Sequence, residues 1–296
     1  MTTEVLERLR AEHLVEPEWL EAHLADPRVR VVDMRGRVST QTDATGYQTA
    51  DYLGAREAYA AGHVPGAVYL DWTTDLVSDT DPVKVQAAPP EKLSRVLGAA
   101  GIGDDTLVVA YDDHPSSQFA TRLWWLLRYY GHPGCRVLNG GWKRWTAEGR
   151  PVSTEAPSFP PAELTPRVQP DWRQTAEEVL ARLGDSGTLL LDARDEGQYT
   201  GKLRRGPRGG HIPGALSFPR ELLTHADGTF RGSAEMLEEL RERGIGPERE
   251  IVAYCNGGVA ATSVLFALSM LGYPRLSNYD GSWNEWTERD DLPVAM

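Results

Sequence analysis

Apolar and polar residues follow two distinct patterns along this chain. Short apolar runs rich in β-branched residues predict buried strands, most clearly at residues 107–111 and 251–254. Between such runs, apolar residues recur at helical spacing and predict helices over residues 18–25, 90–100, 118–130, 175–183, 234–243 and 259–271. Strands that alternate with helices indicate a mainly parallel sheet covered by helices on both faces. We therefore expect an α/β fold.

Four motifs occur twice in the same order, which indicates an internal duplication. They are Asp-x-Arg after a strand (31–35 and 190–194), Gly-His-x-Pro-Gly-Ala (62–67 and 210–215), the apolar strands at 107–111 and 251–254, and Gly-x-Trp (140–145 and 281–286). Copies of this length exclude a solenoid of short repeats. The stretch between them is rich in proline, which predicts an extended connector. The sequence thus predicts an N-terminal domain over 1–152, a linker over 153–170 and a C-terminal domain over 171–296.

The most informative segment of the chain is 251–262, where a predicted strand leads into Cys255 and then into a helix. Glycines after the cysteine let the backbone curl, so that successive N–H groups point into one concavity. The positive end of the helix adds to this field and favours a thiolate. A lone cysteine is more often a small buried apolar residue, but such a residue does not need Asn-Gly-Gly after it. We interpret Cys255 as a reactive thiolate surrounded by Asn256, Gly257, Gly258, Val259 and Ala260.

The first copy of the repeat lacks this arrangement. Asp112 stands at the position that Cys255 has in the second copy, and Pro115 follows three residues later. A carboxylate cannot replace a cysteine as a sulfur nucleophile, and proline removes one backbone N–H group from the loop. We expect the N-terminal domain to be catalytically inactive and to form one wall of the cleft.

The other polar motifs have structural explanations. Asp33 and Asp192 are each expected to pair with the arginine two residues later. His63 and His211 precede Pro-Gly and are expected to stabilise turns. Cys135 has no glycine loop or helix start after it, and we interpret it as a structural thiol.

A small set of arginines could bind an anionic substrate. One of them is Arg194, the arginine of the second Asp-x-Arg motif, whose positive charge could act on Cys255. The others, with Lys202, lie in the loop before His211, for which a solvated charge run is an equally good explanation. The candidates are Arg194, Arg204, Arg205 and Arg208.

Composition and charge narrow the range of partners. The chain of 296 residues is 41% apolar and 25% charged, as in globular proteins. Its net charge of −12 argues against nucleic acid or an anionic membrane as a partner. No apolar run has the length of a membrane span, and the first ten residues lack the apolar core of a signal peptide. The two cysteines form no metal-ligand cluster, so we expect a cytoplasmic protein without a bound metal.

Taken together, these motifs resemble those of the tandem-domain rhodanese family of thiosulfate and 3-mercaptopyruvate sulfurtransferases. The resemblance covers nearly the whole chain and includes both Asp-x-Arg strand ends, both Gly-His-x-Pro-Gly-Ala turns, the Cys255 loop and both Gly-x-Trp blocks. It implies two rhodanese-like domains, each a mainly parallel five-stranded sheet with helices on both faces. It also implies that the cysteine takes a sulfane sulfur from a donor, holds it as a persulfide and passes it to cyanide or a thiol, without metal or organic cofactor.

The sequence of the loop leaves the sulfur donor open. Family members that use thiosulfate often have Arg-Lys after the cysteine, and those that use 3-mercaptopyruvate often have Gly-Ser, whereas this chain has Asn256-Gly257. The family often has an arginine four residues after that of Asp-x-Arg, and this position is Gln198 here. We favour thiosulfate only because it is the more frequent donor.

Two other functions stay open at this point. A carrier that receives sulfur from a partner protein needs the same loop, and an interaction module would be unaffected by Cys255→Ser. A cysteine phosphatase is disfavoured, because its loop ends with an arginine six residues after the cysteine, where this chain has Ala261.

Overall fold

The computed structural model describes residues 2–296, so Met1 of the charged N-terminal stretch lies outside the described residues. The N-terminal half contains α1 (Thr3–His13), β1 (Leu14–Val15), α2 (Pro17–His23), β2 (Val29–Asp33), β3 (Gly36–Thr42), β4 (Gln48–Gly54), α3 (Arg56–Ala61), β5 (Val68–Tyr69), α4 (Pro90–Ala99), β6 (Leu107–Tyr111), α5 (Gln118–Tyr129), β7 (Cys135–Leu138) and α6 (Gly141–Ala147). After a stretch without regular elements, a short 3₁₀ turn (Pro170–Trp172) leads into the C-terminal half.

The C-terminal half repeats most of this series. It contains β8 (Arg173–Gln174), α7 (Ala176–Ala181), β9 (Thr188–Asp192), α8 (Glu196–Tyr199), β10 (Leu216–Ser217), a 3₁₀ turn (Arg220–Leu223), α9 (Ser233–Glu242), β11 (Glu250–Tyr254), α10 (Ala261–Met270), β12 (Leu276–Tyr279) and α11 (Ser282–Trp286). No helix within residues 2–296 combines the length and the apolar character that crossing a membrane requires.

Each half is built on a parallel five-stranded sheet. The strand order is β1-β7-β6-β2-β5 in the first half and β8-β12-β11-β9-β10 in the second, so corresponding strands occupy corresponding places. All pairings within the two sheets are parallel. The central strands are buried on both faces, as expected for a sheet covered by helices. The α/β fold with two tandem domains is confirmed.

The two halves share a core through their equivalent helices, α5 and α10. Trp124 of α5 packs edge-on against Phe266 of α10, with ring centroids 5.2 Å apart. The hydroxyl oxygen of Thr121 lies 3.0 Å from that of Thr262 across the same contact. Both helices are buried on nearly all sides. Because each helix follows its own strand and loop, packing them together turns both loops toward one cleft between the halves.

The hairpin β3–β4 was not predicted from the sequence, and it has no counterpart in the C-terminal half. It begins directly after Arg35, where the second half has α8 instead. The hairpin reaches the other half: the N–H of Gln48 donates to the carbonyl oxygen of Arg204 at 2.6 Å, and the N–H of Arg204 donates to that of Gly46 at 2.9 Å. Its mostly polar, partly exposed residues gave no apolar alternation that would indicate a strand.

Candidate active site

Cys255 lies at the carboxyl end of the central strand β11, in the cleft between the halves. The cleft has a volume of about 950 Å³ and is lined by residues of both halves. The backbone N–H of Cys255 donates to the hydroxyl of Ser282 at 3.1 Å, and its carbonyl accepts from the N–H of Trp283 at 3.0 Å. The Gly-Ser-Trp motif of the second copy therefore holds the cysteine in place, and the sulfur-bearing residue is only 3% exposed.

The loop after Cys255 presents unused backbone donors. Within residues 2–296, the N–H groups of Gly257, Gly258, Val259 and Ala260 donate no hydrogen bond. Gly258 has a φ of +71°, and a Cβ there would lie 2.7 Å from the carbonyl oxygen of Asp280, so only glycine fits. Helix α10 begins two residues later than the sequence predicted, which lengthens the loop. Free N–H groups at the start of a helix form a ready site for an anion.

The corresponding loop of the N-terminal half is filled by its own carboxylate. The carboxylate oxygens of Asp112 accept hydrogen bonds from the N–H groups of His114 at 2.8 Å, Phe119 at 2.7 Å and Ala120 at 2.9 Å. Burial raises the pKa of Asp112 to about 7, although these three donors act in the opposite direction. The loop of this fold thus accommodates an acidic group at the position that the sulfur of Cys255 has in the other half.

Three of the four candidate arginines lie elsewhere than in the cleft. Arg194 is buried, pairs with Asp192 at 2.6 Å and packs over the ring of Trp283 at 4.3 Å. Arg204 is exposed and contributes its backbone to the hairpin contact. The guanidinium of Arg208 donates to the carbonyl oxygens of Trp286, Thr287, Arg289 and Leu292.

Arg205 is the candidate arginine that does line the cleft, and four basic residues that the sequence did not single out join it there: Arg37, Arg56, Lys143 and Arg220. Arg220 follows β10, and Lys143 belongs to the first Gly-x-Trp motif. The Nε atoms of Arg205 and Arg220 are buried and, within residues 2–296, have no hydrogen-bond partner. No spacing pattern connects these positions, because they converge only through the docking of the two halves.

The positive charges of Arg220 and Lys143 affect the pKa of His114, which lies in the loop of the N-terminal half. Burial, reinforced by these two charges, lowers the pKa of His114 to about 4. The Nδ1 atom of His114 accepts a hydrogen bond from the N–H of Ser116 at 3.2 Å, which fits a neutral ring. The cleft therefore combines a neutral imidazole with five basic and four acidic side chains, so its lining is much less acidic than the chain as a whole.

Gln198 connects the cysteine loop to the hairpin of the other half. The side-chain amide of Asn256 donates to Oε1 of Gln198 at 3.0 Å, and Nε2 of Gln198 donates to Oε1 of Gln48 at 2.6 Å. Nearby, Nδ2 of Asn284 donates to the hydroxyl of Tyr52 at 3.1 Å. Gln198, at the position where the family often has an arginine, is thus a neutral side chain that connects the halves by hydrogen bonds.

Residues 2–296 contain no group of three or more His, Cys, Asp or Glu side chains arranged to hold a metal ion.

Comparison with known proteins agrees with this fold. The family model described as rhodanese-like domain matches the chain twice, at residues 16–148 and 175–289. The chain belongs to the rhodanese family, whose sulfurtransferases are among its relatives. It is 33% identical over 297 residues to the sulfur carrier protein TtuD of Thermus thermophilus, covering 96% of each chain. It is 31% identical over 298 residues to a "Putative thiosulfate sulfurtransferase" of Mycolicibacterium smegmatis, covering 97% of this chain and 99% of the relative.

Several solved structures superpose on most of the chain. The 3-mercaptopyruvate sulfurtransferase SseA of Escherichia coli matches with a TM-score of 0.80 and 28% identity, over 91% of this chain and 98% of SseA. Wild-type EanB matches with a TM-score of 0.83 and 26% identity, over 97% of this chain and 70% of EanB. EanB has also been solved in complexes with ergothioneine and with hercynine.

Proposed function

We propose that this protein is a sulfurtransferase in which Cys255 carries the transferred sulfur as a persulfide. The observation that carries the proposal is the run of four backbone N–H groups, from Gly257 to Ala260, that donate no hydrogen bond within residues 2–296 and directly follow a cysteine that lines the cleft. Fixed backbone donors stabilise a negative charge without any rearrangement during the reaction. The corresponding carboxylate of Asp112, held by three N–H groups, supports the view that this loop suits an acidic group.

The proposed reaction has two steps: the donor transfers its sulfur to Cys255, and Cys255 then passes this sulfur to the acceptor. The thiolate of Cys255 attacks the outer sulfur of thiosulfate, the S–S bond of thiosulfate breaks, and sulfite leaves with the bonding electrons. With 3-mercaptopyruvate, the C–S bond breaks, and the thiol proton ends on the carbon atom of pyruvate. A nucleophile such as cyanide then removes the outer sulfur of the persulfide and regenerates the thiolate. The loop N–H groups stabilise the thiolate before transfer and the persulfide anion after it.

The donor that the cleft suits best is a compact anion such as thiosulfate. Arg205 and Arg220 line the cleft with buried Nε–H groups that have no partner within residues 2–296, and an anionic oxygen would satisfy them. An unpaired buried donor is costly, so a ligand that pairs with it gains affinity. We retain 3-mercaptopyruvate, which is also anionic, as the second donor. The N-terminal half is catalytically inactive in this proposal, because Asp112 occupies the place of the cysteine.

A partner-fed sulfur carrier is the second candidate function. It is favoured by the 33% identity to TtuD, which is named a sulfur carrier protein.

For the cellular compartment we propose the cytoplasm. Both cysteines are free thiols, which fits the prediction of a reducing, cytoplasmic environment.

Steady-state turnover separates the enzyme from the carrier. The rate of thiocyanate formation from cyanide is measured with thiosulfate and, separately, with 3-mercaptopyruvate. We expect many turnovers per protein molecule with thiosulfate and a lower kcat/KM with 3-mercaptopyruvate. A single turnover at most with both donors would contradict the enzyme and favour the carrier, whereas faster turnover with 3-mercaptopyruvate would reverse the order of donors.

A further inference from the structure

The carbonyl group of Gly258, inside the cysteine loop, is held by side chains from both halves. Nη1 of Arg122, on helix α5 of the N-terminal half, donates to this oxygen at 3.1 Å. Nδ2 of Asn278, on strand β12 of the C-terminal half, donates to the same oxygen at 2.9 Å. Both lone pairs of the carbonyl are therefore used, and the orientation of the peptide group that follows Gly258 is fixed.

Arg122 is itself fixed by a buried carboxylate. Its Nη1 lies 2.6 Å from Oδ1 of Asp280, and the two side chains are 2% and 0% exposed. A second oxygen of Asp280 accepts from the N–H of Ala87 at 2.9 Å. A buried ion pair adds little net stability compared with apolar residues of the same size. What this pair does impose is one position for the guanidinium above the carbonyl of Gly258.

Holding this carbonyl has a direct consequence for the anion site. The peptide group is planar and trans, so the N–H of Val259 points opposite to the carbonyl of Gly258. With the oxygen turned toward Arg122 and Asn278, the N–H of Val259 is turned to the other side of the loop. This N–H is one of the donors without a partner within residues 2–296.

We propose that Arg122 is a positioning residue of the sulfur site, which acts by holding the Gly258–Val259 peptide so that its N–H faces the sulfur of Cys255. The inference rests on the proposed role of Cys255 and extends it, because it assigns part of the anion site to the N-terminal half. Without Arg122 the peptide can rotate, and the loop then presents a carbonyl dipole to the sulfur instead of an N–H.

A strained segment of the N-terminal half supports the same loop. Val85 has a φ of +59°, an unfavourable conformation for a β-branched residue that persists only where its surroundings impose it. Nη2 of Arg122 donates to the carbonyl oxygen of Val85 at 2.9 Å, and Nε2 of Gln86 donates to that of Asp280 at 3.0 Å. Arg122 thus connects the strained segment and the cysteine loop, which places the strain beside the proposed site.

The test uses the full-length protein with Arg122→Met, which keeps the apolar stem and removes the guanidinium. Arg173→Met is the matched control: Arg173 lies 3.3 Å from Asp280, but the carbonyl of Gly258 accepts from Arg122 and Asn278, not from Arg173. The readouts are the rate of sulfur loading at saturating thiosulfate, the KM for thiosulfate and the pH midpoint of Cys255 alkylation by iodoacetamide. Near-ultraviolet circular dichroism checks folding.

We expect Arg122→Met to lower the loading rate at saturation by at least about tenfold, since loss of one donor from an oxyanion site costs ~10²–10³ in kcat. The KM should change little, because Arg205 and Arg220 stay in the cleft, and the alkylation midpoint should move to higher pH. Arg122→Lys should lie between Met and wild type, because one ammonium cannot span both acceptors. Arg173→Met should behave as wild type.

A folded Arg122→Met protein with the wild-type loading rate and alkylation midpoint would overturn the proposal. If that variant does not fold, Asn278→Ala tests the same carbonyl from the other half, and an unchanged midpoint there would also overturn it. Alkylation needs no sulfur donor. A shifted midpoint in a protein that loads sulfur from neither donor would therefore support the role of Arg122 while contradicting the proposed function.

Discussion

At the scale of single residues, the environment of each acidic or thiol group decides what it can do. Cys255 and Asp112 follow equivalent strands, and each is followed by a loop that turns N–H groups inward. Cys135 has no such loop, and burial raises the pKa of its thiol to about 12, so it stays protonated and inert. We therefore expect the two thiols of this chain to differ in reactivity, for a reason that lies in the backbone around them.

The cleft arginines give the first prediction. Arg205→Gln and Arg220→Gln should each raise the KM for thiosulfate by about tenfold, because a hydrogen bond to a charged group contributes about 1.5–3 kcal/mol and 1.4 kcal/mol is tenfold in affinity. Arg204→Gln is the control, since this neighbour is exposed and does not line the cleft. Steady-state kinetics with thiosulfate and cyanide measures the effect. If Arg205→Gln and Arg220→Gln had the same KM for thiosulfate as the control Arg204→Gln, thiosulfate would bind elsewhere.

At the scale of elements, the loop after β11 fits against a segment from the other half. A Cβ at Gly257 would lie 2.7 Å from Cγ2 of Val85, closer than two such carbon atoms approach. It would also lie 3.1 Å from Nδ2 of Asn284, which donates to Tyr52 of the hairpin. Besides its contacts within the C-terminal half, the loop is therefore also shaped by a contact with Val85 that forms only when the halves dock.

This contact gives a second prediction. Gly257→Ala alone should lower sulfur loading strongly, because the new methyl group pushes the loop away from Val85. Adding Val85→Ala removes Cγ2 and should restore part of the loading rate, so that the two changes are not additive. Loading rates and thermal unfolding of the single and double variants form the cycle. A double variant as slow as Gly257→Ala alone would show that the clash is not the cause.

The sequence was sufficient for those elements whose signals are local. The duplicated α/β fold followed from repeated motifs, and the loop followed from glycines placed between a strand and a helix. The hairpin β3–β4 was missed because its polar residues pack against Arg204 and Gln198, which are distant in sequence. Arg122 and Lys143 were missed because they belong to the other half and only docking brings them to the site. Arg220 was missed because it lies in a segment without a recognisable motif.

At the scale of the whole molecule, the N-terminal half is part of the candidate site although Asp112 stands where the C-terminal half has Cys255. It contributes Gln48 to the link with Asn256, Val85 to the packing of the loop and His114 to the cleft wall. The copy that has Asp112 at the position of the cysteine thus serves as a scaffold for the proposed site. The proposed sulfur site is then complete only when the two halves are docked.

The cleft wall gives a pH prediction. Because burial lowers the pKa of His114 to about 4 in the folded protein, the unfolded chain binds a proton there between roughly pH 4 and pH 6.5 that the folded protein does not. The free energy of unfolding should therefore fall as the pH falls through this window. In His114→Gln that fall should be shallower, as measured by urea unfolding at a series of pH values. An equally steep fall in the variant would assign the dependence to other groups.

The central claim is that Cys255 carries the sulfur, and the intact mass of the protein after brief exposure to thiosulfate tests it most directly. Wild-type protein and Cys135→Ser should each gain one sulfur atom, which cyanide then removes. Cys255→Ser should gain none, because Cys135 is buried and protonated. A wild-type protein that gains no sulfur, or a Cys255→Ser protein that gains one, would contradict the account.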